Sequence, residues 1–156
     1  MNRVLRIDLD YDLEGLKKSA GANSPVIPPS QEITRNIIEN TYSQNHAKMG
    51  VKLARVWRRI VKTIEKAMDE GRTLVVLRDD DFKSLVGEVE KCEYDNRQAF
   101  IVPVLLDELD RIAALSDEES AAALKKLDTI LLNAKANAEA SHQVDKVMEM
   151  SRAKTG

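Results

Sequence analysis

One cysteine, Cys92, stands among 156 residues, which excludes an internal disulfide and any cysteine-based zinc site. The two histidines, His46 and His142, lie 96 positions apart and suggest no metal cluster. Aromatic residues make up only 4% of the chain, so its core must be aliphatic. No apolar run approaches the roughly 18–20 residues that a membrane-spanning helix needs. Excess charge of either sign is also missing. Twenty-four basic residues face 26 acidic ones, and a net charge of −2 implies neither a nucleic-acid nor a membrane partner for the molecule as a whole. No G-x-G-x-x-G, Walker, H-E-x-x-H or nucleophile-elbow motif occurs. With six glycines and so few histidines and cysteines, the usual parts of a catalytic pocket are scarce. The expectation is a non-enzymatic protein without cofactor or metal. Arg3, Arg6, Asp8 and Asp10 break up the apolar N-terminus, which does not look like a signal peptide and points to a cytosolic setting.

What the chain has is aliphatic periodicity. Hydrophobic residues are 43% of the total, enough for one domain's core without covalent staples. Leu5, Ile7 and Leu9 alternate with Arg6 and Asp8, the period of a half-buried strand. Residues 11–18 suit a helical turn or two, weakened by Gly15. Residues 19–30 carry Pro25, Pro28 and Pro29 among small residues and favour extended backbone. This stretch is a surface connector or a docking arm whose Val26 and Ile27 insert into a neighbouring subunit. Ser30 is placed to cap a helix carrying Ile33, Ile37, Ile38 and Tyr42, with a break at 43–46. Leu53, Val56, Trp57, Ile60, Ile64 and Ala67 then predict a long amphipathic helix over 48–70, stopped by Gly71. Residues 73–77 suit a strand, and one of Asp79, Asp80 and Asp81 should cap the helix that follows to about residue 93. Pro103 fits the first turn of a helix through Leu106, Leu109 and Ile112, with 100–102 a preceding turn or, less favoured, a short strand beside 73–77. Ser116 and Glu119 form a capping box that opens a helix of up to about 35 residues, too thinly apolar beyond Ala134 to be core. The expected fold is therefore mainly α: four to five helices with at most a small two- or three-stranded β element. Residues 1–29 form a strand and proline-rich arm, 30–115 a helical core domain, and 116–156 a long C-terminal helix and tail.

The strongest charge pattern is a row of cations. Lys48, Lys52, Arg55, Arg59, Lys62 and Lys66 fall on one stripe of the 48–70 helix, about 80° wide and turned away from its apolar face. Residues 46–68 hold seven bases and one acid, whereas residues 79–119 hold 13 acids and four bases. Three uses fit: a row of phosphate contacts to nucleic acid, a contact with the acidic 79–119 half in the same chain or a neighbouring copy, or a solvated face. The remaining candidates have structural explanations. The three adjacent aspartates project in different directions and suit capping rather than a cation. Ser141 and His142, with Asp145 nearby, point about 100° apart on a helix, which does not suggest a catalytic triad. Cys92 lies between Glu90 and Glu93 and suits a buried structural thiol. His46 suits a turn.

A glycine-stopped charged helix (Met68-Asp69-Glu70-Gly71) is followed by the strand Thr73-Leu74-Val75-Val76-Leu77 and the acidic opening Asp79-Asp80-Asp81-Phe82. Ile101-Val102-Pro103 then leads to Leu106-Asp107-Glu108-Leu109-Asp110. In this pattern residues 47–112 resemble small accessory proteins of tailed bacteriophages and prophages. The resemblance implies a virion or assembly component that works through protein–protein contacts, as a homo-oligomer or docked on a larger assembly, with no catalytic residue to carry over.

Overall fold

A computed structural model describes residues 1–20, 26–96 and 98–155, with side chains described over 1–18, 26–96 and 98–140. Among them are six α-helices and one two-stranded antiparallel sheet, so the fold is mainly α. Strand β1 spans Asn2–Arg6 and helix α1 Leu13–Ala20. Helices α2 (Ser30–Asn45) and α3 (Val51–Asp69) precede strand β2 (Leu74–Arg78). Helices α4 (Asp79–Lys91), α5 (Val102–Ala113) and α6 (Asp117–Thr155) complete the chain, with a 3-10 turn at Gln98–Phe100 before α5.

The alternation at the N-terminus produces the sheet. Leu5 in β1 and Ile7 just past its end are fully buried and Leu9 and Tyr11 nearly so, so the buried alternation runs on beyond the strand. Leu5 pairs with Val75, and Arg3 with Leu77, in a register running from Asn2 opposite Arg78 to Arg6 opposite Leu74. Residues 100–102 take no part in the sheet; they lie in and after the 3-10 turn. Helices α2, α3, α4 and α5 bring Ile38, Tyr42, Ile60, Ile64, Leu85 and Leu109 into one aliphatic core with Leu5 and Ile7. Each such side chain contributes about 1.5–3 kcal/mol on leaving water. Buried Thr34 ties α2 to the N-terminal segment, donating to the Ile7 carbonyl at 2.7 Å and meeting the Tyr11 hydroxyl at 2.6 Å.

Two glycines sit where a side chain would not. Gly71 has φ +68° and closes a Schellman motif: its N–H bonds to the Met68 carbonyl and that of Arg72 to Ala67. This turn reverses the chain from α3 into β2. At Gly15 an added Cβ would meet the Asp12 carboxylate and lie 2.8 Å from the Phe100 ring, so the glycine lets α1 approach the turn before α5.

The helix starts differ from those expected. Ser30 is the first residue of α2 and Pro29 its cap, with no side-chain cap bond. None of Asp79, Asp80 and Asp81 caps α4, because the helix begins at Asp79 and Arg78 holds the cap position. All three carboxylates lie in the first turn, where they still oppose the positive end of the helix dipole. The Ser116 cap is as expected, its hydroxyl accepting the Glu119 N–H at 3.1 Å. Helix α2 runs through the anticipated break at 43–45, which leaves the connection at 46–50.

Candidate functional site: the basic face of α3 and its surroundings

The apolar positions of α3 turn Ile60, Ile64 and Ala67 into the core, which forces the opposite side of the helix outward. Lys52, Arg55, Arg59, Lys62 and Lys66 all lie on that outward side and are exposed. Lys48 is exposed too but precedes the helix, in the 46–50 connection. Among the described residues the stripe meets the acidic half of its own chain at one place. Arg59 forks onto Asp81, with Nη2 2.8 Å and Nε 3.0 Å from the two carboxylate oxygens. Asp81 is 3% exposed, so this guanidinium neutralises a carboxylate that the fold has buried. Lys66 reaches only Glu70, at 3.9 Å within the same helical end. Among the described residues Lys48, Lys52, Arg55 and Lys62 carry no ion pair, nor does exposed Arg58 beside them. Like charges at i, i+3 and i, i+4 destabilise a helix by about 0.2–0.5 kcal/mol per pair, so this row is retained at a cost to the monomer.

Along the α2 side of α3 runs an apolar groove of about 430 Å³, lined by Trp57, Val61 and Ala54 and edged by Arg58, Lys62 and Glu39. The Trp57 indole N–H is buried and finds no acceptor among the described residues, and the same holds for Arg35 Nε. Arg35 spends its terminal nitrogens on Glu65 at 3.7 Å and Glu32 at 3.9 Å, both long contacts.

Val26 and Ile27 do not project together as a docking pair. Val26 is 94% exposed, whereas Ile27 packs against this chain's own core. The arm before them, at 21–25, lies outside the described residues, as do the side chains of Ser141, His142 and Asp145. Cys92 is buried; its thiol donates to Gln44 Oε1 at 3.3 Å, and burial pushes its pKa up. Among the described residues, no group of three or more histidines, cysteines, aspartates or glutamates is arranged to hold a metal ion, and no helix is long and apolar enough to cross a membrane.

Three arrangements escape a reading of the sequence by segments. Arg3 pins the start of three elements together: Nε lies 3.1 Å from Asp79 at the head of α4, and Nη1 3.0 Å from Ser120 in α6. Its guanidinium also sits 5.9 Å above the Phe82 ring. The signal was its parity, since an arginine two residues before Leu5 points inward and needs partners. Asp79 is held below the usual carboxylate range by Lys83 and by Arg3. Glu88, 7% exposed, receives Asn45 Nδ2 at 2.9 Å, His46 Nε2 at 2.9 Å and Lys91 Nζ at 3.0 Å. His46 is therefore a tether between the end of α2 and α4, more than a turn residue. No sequence signal links positions 46 and 88. The Trp57 groove, likewise, exists only once α2 lies beside α3.

Helix α6 joins the body through its N-terminal half. Leu127 is 3% exposed, and Leu131 lines a cavity of about 220 Å³ with Leu74 and the Gly71 turn. From Leu132 to Ala140 every residue is exposed. Comparisons with protein-family models, characterised proteins and solved structures yield no match to this chain.

Proposed function

We propose that this chain is a non-enzymatic assembly or interaction protein that acts through protein–protein contacts, a virion or assembly component of the kind that residues 47–112 resemble in tailed bacteriophages, working in the cytoplasm or in the particle. The observation that carries this reading is α6. At 39 residues it is about 58 Å long, yet every residue from 132 to 140 is exposed, Leu132 at 67%, and Ala134 is the last described residue to line a cavity with the body. Isolated helix is marginal in water, and most helical stability in proteins comes from packing. A helix extended this far beyond its own domain suits a handle for another protein. Truncation after Ala138 is expected to leave the thermal midpoint nearly unchanged and to reduce self-association or partner capture, measured by calorimetry and light scattering. A large drop in melting temperature would place the distal helix in the core and end this reading.

A nucleic-acid-binding protein is the second reading, and one observation favours it: Lys48, Lys52, Arg55 and Lys62 stand uncovered in a row. Phosphates favour such a row, with few acids interspersed.

A further inference from the structure

The uncovered cations have a counterpart of opposite sign on the same molecule. Asp107 and Asp110 are exposed on α5, and Asp117, Glu118 and Glu119 are exposed in the first turn of α6, just past the connecting turn at 114–116. Among the described residues none of the five carboxylates has an ion-pair partner. The base nearest in sequence, Arg111, is taken by Glu108 at 2.8 and 2.9 Å. Among the described residues five acids without an ion pair at this corner thus match five such bases, Lys48, Lys52, Arg55, Arg58 and Lys62. Among the described residues no ion pair joins the two faces within one copy; α3 packs beside β2 whereas α5 and α6 pack beside β1.

We propose that the basic face of α3 in one copy docks on the acidic α5–α6 corner of a second copy. This deepens the assembly reading, on which it rests, by naming the partner. Each face bears like charges that oppose one another in the monomer, and one contact relieves both. The contact is heterologous: a docked copy still offers one free basic face and one free acidic corner. Copies therefore add head to tail, closing into a ring or extending as a filament. Charge pairs at such a contact set encounter rate and register, so association should weaken as salt rises.

The test uses two neutralised full-length chains, one with Arg55→Gln, Arg58→Gln and Lys62→Gln, the other with Asp107→Asn, Asp110→Asn and Glu118→Gln. Arg59 stays, since its loss would strand buried Asp81. Circular dichroism checks that both fold as the wild type does. In light scattering at low ionic strength, the wild type is expected to form species larger than two copies. Each variant alone should self-associate about tenfold more weakly. An equimolar mixture should form pairs and stop there, because each pair joins the one intact face of either chain. Wild-type association unchanged in both variants would overturn the inference and leave assembly through another surface. A wild type monomeric at every concentration and salt would also overturn it, while leaving capture of a different protein open to the assembly reading. Tight duplex or single-strand nucleic-acid binding by a monomeric wild type, lost in the α3 variant, would overturn both.

Discussion

Glu88 shows how a single side chain couples this fold to pH. Burial alone would raise the affinity of its carboxyl for a proton, but hydrogen bonds from Asn45, His46 and Lys91 outweigh that and hold it below the ordinary glutamate value of 4.5. A depressed folded value means that the unfolded chain takes up the proton first as pH falls. The stabilisation is therefore complete above about pH 4.5 and is lost as pH drops through the lower folded value. Glu88→Gln is expected to destabilise the protein by about 2 kcal/mol at neutral pH, the scale of hydrogen bonds to a charged group. It should also flatten the acid limb of a stability–pH curve measured by urea denaturation. An acid limb unchanged in the variant would show that other carboxylates carry it. Tyr42 acts at the opposite end. Burial pushes its hydroxyl up to about 12, so the stability it confers is present below pH 10 and declines as pH rises from there through 12. Tyr42 also meets Ser84 at 2.9 Å, joining α2 to α4 near the Glu88 cluster.

Helix α6 combines two roles in one uninterrupted element. Its first part belongs to the body, where Leu127 is buried and Ser120 receives Arg3. From Leu132 to Ala140 every residue is exposed, with Ala134 at the edge of the cavity beside the Gly71 turn. Leu127→Ala is expected to cost about 2–4 kcal/mol, through lost transfer energy and the cavity left behind. Leu132→Ala should cost less than about 0.5 kcal/mol, as exposed substitutions do. Thermal or urea unfolding of the two variants measures the difference, and equal losses would mean that Leu132 is packed as Leu127 is. The contrast also separates folding from association, since Leu132→Ala is the substitution expected to affect partner binding without loosening the domain.

For the whole molecule, the net charge of −2 conceals the separation of bases on α3 from acids on the α5–α6 corner. That separation decides between the two functional readings through salt. If α3 binds nucleic acid, replacing Arg55, Arg58 and Lys62 by glutamine removes about three phosphate contacts. The slope of log affinity against log salt should then flatten by about 2–3, measured by fluorescence anisotropy on a duplex. If α3 meets protein, the wild type should bind nucleic acid poorly from the outset, and added salt should instead dissolve its assemblies. Arg59 is unsuitable for this test, because its fork onto Asp81 serves folding as well as surface charge.

The sequence by itself determined what depends on neighbours three or four residues apart, or two apart in a strand. The long amphipathic α3, its Gly71 stop, the Ser116 cap and the buried alternation from Leu5 to Leu9 follow from local periodicity and backbone preference, and so does the mainly α class. The basic stripe was legible for the same reason, since helical spacing alone places its cations on one side. Tertiary structure decided the contacts between distant segments. It paired residues 2–6 with 74–78, set Arg3 between Asp79 and Ser120, and buried Asp81 and Glu88 beside bases that local spacing does not bring to them. It also settled which members of the stripe are spent. Arg59 is consumed internally and Lys66 joins Glu70, while Lys52, Arg55 and Lys62 remain uncovered. A side chain's periodicity states which way it faces; only the packing of other elements against that face states what it meets.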